Sequence, residues 1–187
     1  MAKVLVLYYS TWGHGAPDAT NGTPYLLPYD GDPKTVGATA IPLAQAIKGL
    51  SESRAKEVIA FVDSCFSGAG GRSVLPPGAR PLVRVREAQP TAQVALLTAS
   101  AGNEISGPAP GENIGLFTKY LTDGVGRGAA DADGDGQVSL QELLDYVKPR
   151  VARDAKKDHR DQTPQLVRGS GFADPRRVSV AWGFPTK

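Results

Sequence analysis

Three observations predict an α/β fold with a mostly parallel central sheet flanked by helices. Residues 3–9 (KVLVLYY) and 58–62 (VIAFV) are apolar runs without alternation, the pattern of strands buried on both faces of a parallel sheet. Between them Leu43, Ile47 and Leu50 recur at helical spacing behind Pro42, which suits a first helical turn. Strand, helix and strand within about sixty residues match a parallel crossover unit.

The remaining elements follow in order. The first strand ends in Ser10, Thr11, Trp12, Gly13, His14 and Gly15, a Gly-rich turn. Residues 18–23 are turn-rich, and Tyr25, Leu26 and Leu27 form a short extended piece before Pro28. The central strand begins at Glu57, and the chain turns polar at Asp63, Ser64 and Cys65. Ser67, Gly68, Gly70 and Gly71 then open a loop. Residues 69–90, rich in Gly, Pro and Arg, predict a surface loop longer than packing requires. Residues 93–98 (QVALLT) are a third strand, and Leu116, Tyr120 and Leu121 mark a helix stopped near Gly124 and Gly126. Residues 140–147 begin another helix, which Pro149 is expected to kink or end. Residues 177–182 (RVSVAW) read as a closing strand.

Composition bounds the function classes. A chain of 187 residues fits one domain, 1–187, with a substantial core. Its 41% hydrophobic and 21% charged residues describe an ordinary soluble globular protein, expected in the cytoplasm. A net charge of +2 gives no reason to expect a nucleic acid partner or an acidic membrane surface. No segment has the length of a transmembrane helix, and the apolar start reads as a strand rather than a secretory signal. The single cysteine excludes an internal disulfide and a Cys-rich zinc site.

That cysteine stands just beyond a strand end. In a parallel sheet such positions face the crevice where ligands bind, so Cys65 is a candidate nucleophile. The alternative is a buried thiol acting as a small hydrophobe. Of the two histidines, His159 lies in the charged run KKDHRD and reads as exposed, whereas His14 is flanked by glycines at the other strand end. If the two strands are parallel neighbours, Cys65 and His14 come side by side. A thiol attacking a peptide carbonyl needs an acid–base partner to protonate the departing amine. Gly15 allows close approach of substrate, and the N–H groups of Gly15 and Cys65 are candidate oxyanion donors.

GHG at residues 13–15 and DSCFSG at residues 63–68 resemble the caspase-like cysteine peptidases, particularly the metacaspases and their bacterial relatives. Cys65 lies 51 residues after His14, which fits the caspase spacing. The resemblance extends through LLPYD, TAIPL, LLTAS and QTPQL, and so covers most of the chain. It implies a caspase-like three-layer sandwich, with Cys65 as nucleophile and His14 as its partner. Asp63 matches the position lining the primary specificity pocket, to which Ser10 also belongs. The substrate implied is a peptide or protein with Arg or Lys before the scissile bond, since a carboxylate suits a cationic side chain.

Two departures from the family pattern stand out. Thr11 and Trp12 separate Ser10 from Gly13, where the family has Ser-Gly-His-Gly. The family's strand–helix section before the His-bearing strand has no counterpart ahead of Lys3. A shortened form is one expectation; the other is an exposed sheet edge covered by something else, such as a second chain. A catalytically silent caspase-like domain, acting as a calcium-dependent binding or regulatory module, is the alternative to a peptidase.

Calcium enters through a second motif. In residues 131–142, DADGDGQVSLQE, Asp131, Asp133, Asp135, Gly136, Ser139 and Glu142 fill positions 1, 3, 5, 6, 9 and 12 of an EF-hand loop. The Gln137 carbonyl falls at position 7. Three short carboxylates, a glycine for the sharp turn and a glutamate on the next helix are what an oxygen-liganded ion requires. The ligand set expected for Ca2+ is therefore Asp131, Asp133, Asp135, Gln137, Ser139 and Glu142.

Overall fold

The chain runs β1 (Val4–Ser10), β2 (Gly15–Pro17), β3 (Pro24–Leu26), α1 (Val36–Thr39), β4 (Ile41–Pro42), α2 (Leu43–Ser51) and β5 (Glu57–Asp63). It continues with β6 (Val94–Thr98), α3 (Leu116–Gly126), β7 (Gln137–Ser139), α4 (Leu140–Lys157), β8 (Gln165–Arg168) and β9 (Ser179–Trp182), the last preceded by a 3-10 turn at Pro175–Arg177. The structure is a computed structural model and describes residues 4–10, the backbone of 15–17, and residues 23–32, 34–64, 90, 92–102 and 104–186.

The central sheet has the strand order β1-β5-β6-β8. β1 and β6 both pair with β5 in parallel, and β8 pairs with β6 antiparallel. Parallel pairing brings the carboxyl ends of β1, β5 and β6 to one edge, as the apolar runs predict. Burial on both faces holds for β5 but not for β1, which is an edge strand and leaves Val6 and Tyr8 about half exposed.

The period-2 geometry of β5 feeds two separate cores. On one face Val58, Ala60 and Val62, with Val94 and Leu96 of β6, pack against Leu43 and Ile47 of α2 and Leu26 of β3. On the other, Ile59, Phe61, Ala95 and Leu97 meet Leu116, Phe117 and Leu121 of α3 and Leu140, Leu143, Val147 and Val151 of α4. Helices thus cover the sheet from both sides. Each fully buried aliphatic or aromatic side chain contributes about 1.5–3 kcal/mol, so a sheet buried on both faces is the chief source of stability.

Several expectations need correction. Of the two outcomes expected at Pro149, the helix end is not seen: α4 continues to Lys157. The ring removes the bond to the Asp145 carbonyl, but both residues are exposed, so that acceptor is not sealed from solvent. Beyond the proline, Val151 and Ala155 are fully buried and carry the helix onward. The strand expected at residues 177–182 is shorter, Ser179–Trp182, and pairs with β7 in a two-stranded sheet instead of closing the central one. The closing strand is β8, a half-exposed four-residue piece with no apolar pattern to announce it. Among the described residues no helix is long and apolar enough to cross a membrane.

Candidate functional site

β1 and β5 are parallel neighbours, and their register sets Ser10 directly beside Asp63 at the carboxyl ends of both strands. Cys65 follows Asp63 by two residues in sequence, and His14 follows Ser10 by four; both lie outside the described residues, as do residues 69–89 of the expected 69–90 loop. Gly15 opens β2, which pairs antiparallel with β3 and belongs to a separate sheet of order β2-β3-β4. Ser10 is exposed, whereas Asp63 is only 4% exposed.

A carboxylate this deeply buried requires hydrogen-bond donors. Ser106 Oγ donates to Asp63 Oδ1 at 3.1 Å, and both the N–H (3.2 Å) and the hydroxyl of Thr118 donate to Oδ2. Burial pushes the Asp63 carboxyl above its ordinary value, opposed by these three donors and by the nearby Arg160 guanidinium. Gly115 makes the close approach of α3 feasible: a β-carbon there would lie 2.2 Å from Asp63 Oδ2.

Behind this pair is a satisfied polar layer. Gln162, 1% exposed, donates to the Ala99 carbonyl at 3.2 Å and to Ser106 Oγ at 3.4 Å, and accepts from the Gly107 N–H at 3.2 Å. Arg160 donates to the Pro108 carbonyl at 3.0 Å and also reaches Gln162 Oε1. Tyr8 Oη lies 2.6 Å from Thr118 Oγ1. The sequence reading missed Ser106, Thr118 and Gly115. One signal was available: a helix beginning at Leu116 after a glycine has no side-chain cap of its own.

The second site is the 131–142 loop. Carboxylate oxygens of Asp131, Asp133 and Glu142 lie within 4.8 Å of one another, so this group can hold a metal ion. Asp131 is buried and accepts from the N–H groups of Gly134 (2.7 Å) and Gly136 (3.1 Å). Gly134 (φ +77) and Gly136 (φ +84) supply the left-handed turns this requires. Asp135 stands apart from the three and accepts from the Gln137 N–H at 2.8 Å.

Ser139 and Glu142 form a capping box at the start of α4, the Glu142 N–H donating to Ser139 Oγ and the Ser139 N–H to Glu142 Oε2. Burial pushes the Glu142 carboxyl up. Donation from the Ser139 N–H and hydroxyl and from the N–H groups of Ala132 and Asp133 outweighs this and holds it below its ordinary value. The all-oxygen donor set, on a loop fixed by its own backbone, fits a hard divalent cation.

Comparison of the chain with protein-family models and with curated proteins gave no match.

Proposed function

We propose that this chain is a caspase-like cysteine endopeptidase that cleaves after Arg or Lys and carries a calcium ion in the 131–142 loop. The observation that supports it best is the parallel register of β1 and β5, which pairs Ser10 with Asp63 at one sheet edge; His14 and Cys65 follow these two residues by four and two positions in sequence. In this reading the Cys65 thiolate attacks the substrate carbonyl to give a tetrahedral oxyanion. His14 protonates the departing amine as the C–N bond breaks, leaving a thioester that water then hydrolyses. Asp63 receives the cationic side chain before the scissile bond. Asp131, Asp133 and Glu142 would hold the calcium ion, whose charge would offset theirs and link the loop to the start of α4.

The test is hydrolysis of Arg-, Lys- and Asp-ended peptide reporters, with and without calcium, beside Cys65→Ala. Cleavage after Arg or Lys that disappears in Cys65→Ala supports the proposal. A second reading, a silent domain that binds partners, is favoured by the engagement of Asp63 with three internal donors. Folded protein that cleaves no reporter would establish it over the first.

A further inference from the structure

An ionised carboxylate offers about four acceptor positions. Three at Asp63 are occupied: one on Oδ1 by the Ser106 hydroxyl, and two on Oδ2 by the Thr118 N–H and hydroxyl. Among the described residues no further donor reaches the carboxylate, so the remaining position is on Oδ1. The donors also fix the direction of the protons. Ionised Asp63 has none to give, so the Thr118 hydroxyl donates to it and accepts from Tyr8. Tyr8 lies on β1 two residues before Ser10 and is 46% exposed, so this chain of hydroxyls leads from solvent into the carboxylate. On the far side the charged group is Arg160, held by Gln162, the Pro108 carbonyl and Asp158, 3.6 Å away.

We propose that Thr118 and Ser106 are the positioning residues of a cation pocket, aiming the acceptor position on Asp63 Oδ1 that no described residue fills at the basic side chain of a substrate. This rests on the peptidase reading above and adds to it the residues that set its specificity. Thr118 does so through a hydroxyl oriented by Tyr8, and Gly115 leaves the space in which carboxylate and hydroxyl meet.

The experiment compares Thr118→Val, Thr118→Ser and Ser106→Ala on reporters ending in Arg and in uncharged norleucine. Thr118→Val keeps the shape and the backbone N–H but removes the hydroxyl. It is expected to lose about tenfold in kcat/KM for the Arg reporter, expressed in KM, with the norleucine reporter changed less than twofold. Thr118→Ser is expected to restore the Arg preference. Equal losses on both reporters, or an unchanged preference in both Thr118→Val and Ser106→Ala, would overturn the proposal.

A second readout does not need turnover. The Asp63 carboxyl carbon, followed by NMR in labelled protein, should titrate higher in Thr118→Val and Ser106→Ala and should move on addition of N-acetyl-arginine amide. If every reporter is inert yet this probe shifts Asp63 and binds at least fivefold more weakly to Thr118→Val, the pocket stands and only the peptidase reading falls. If the probe leaves Asp63 unmoved in the parent chain, the pocket itself is refuted. Should Thr118→Val fail to fold, Ser106→Ala carries both readouts.

Discussion

Asp63 and Thr118 are 55 residues apart in the chain, yet the carboxylate at the end of β5 accepts two hydrogen bonds from Thr118 in the first turn of α3. The residue preceding α3 is Gly115, which offers no side chain to the helix's unpaired N–H groups. Asp63 therefore caps α3 from another element and, in its ionised form, places a negative charge at the positive end of the helix dipole. The carboxyl edge of the sheet and the start of the helix are thereby joined at the point where the candidate chemistry is expected. A change at either residue is felt at both.

Gly115 tests this joint directly. Its backbone is ordinary, φ −63 and ψ 142, so glycine is not needed for conformation. Space is the reason, since a β-carbon would overlap Asp63 Oδ2. Gly115→Ala is expected to destabilise the fold by about 1–3 kcal/mol through overpacking, while Gly126→Ala, where a β-carbon meets nothing, leaves it unchanged within about 0.5 kcal/mol. Urea unfolding of the two variants distinguishes a packing constraint from a general effect of helix glycines.

The raised titration of Asp63 has opposite consequences for stability and for recognition. Burial, its main cause, favours the neutral carboxyl in the folded state. Its contribution to folding is thus fully present below the unfolded value and is lost as pH rises through the folded one. Cation binding runs the other way, needing the charged form and fading as pH falls. The ratio of Arg to norleucine hydrolysis should fall about tenfold per unit below the Asp63 pKa, and Asp63→Asn should abolish that acid limb. A ratio independent of pH in the parent chain would remove Asp63 from the pocket.

Asp154 joins α4 to α3 by a different route. Its carboxylate accepts from Arg153, from Lys157 at 2.8 Å and from the Tyr120 hydroxyl on α3, and these partners hold it well below the ordinary carboxylate range. Arg153 and Lys157 are 63% and 65% exposed, so their share is reduced by solvent and the contact to Tyr120 dominates. Asp154→Asn is expected to cost about 1.5 kcal/mol at neutral pH. Because the folded value is the lower one, the contribution is present above the unfolded value and lost as pH falls through the folded one. The variant and parent should therefore converge in melting temperature in acid.

The sequence disclosed the fold where apolar residues run together. β5 and β6 are buried on both faces, and α2 carries Leu43 and Ile47 on one stripe, so pattern alone located them. Pattern located β1 as well, although that edge strand leaves Val6 and Tyr8 exposed. It failed where neighbours decide the outcome. β8 is held by its pairing with β6, and α4 passes Pro149 because Val151 and Ala155 are buried beyond it. At the candidate site, Asp63 and the loop carboxylates were legible because their spacing is local. Ser106 and Thr118 were not, since they reach Asp63 only through the packing of α3 on the sheet.

Glu142 is the residue at which metal binding and helix capping can be separated. Its carboxylate lies in the Asp131, Asp133 and Glu142 group and also closes the capping box with Ser139. Glutamine serves the capping box as glutamate does but brings no charge to an ion. Glu142→Gln keeps an oxygen for the Ser139 donors but puts an NH2 where the Ala132 and Asp133 N–H groups donate. It is expected to lose about 1 kcal/mol of metal-free stability and most of the rise in melting temperature that calcium gives. That rise corresponds to about 2.7 kcal/mol when free calcium is a hundred times its dissociation constant. Glu142→Ala should lose both the cap and the loop bonds, costing about 2 kcal/mol without metal. Acid provides the control: the lowered pKa of Glu142 means that its contribution is lost as pH falls through the folded value, and Glu142→Gln should lack that dependence. A calcium-induced rise that survives in Glu142→Gln would assign the loop carboxylates to the cap and the turn, and the ion to neither.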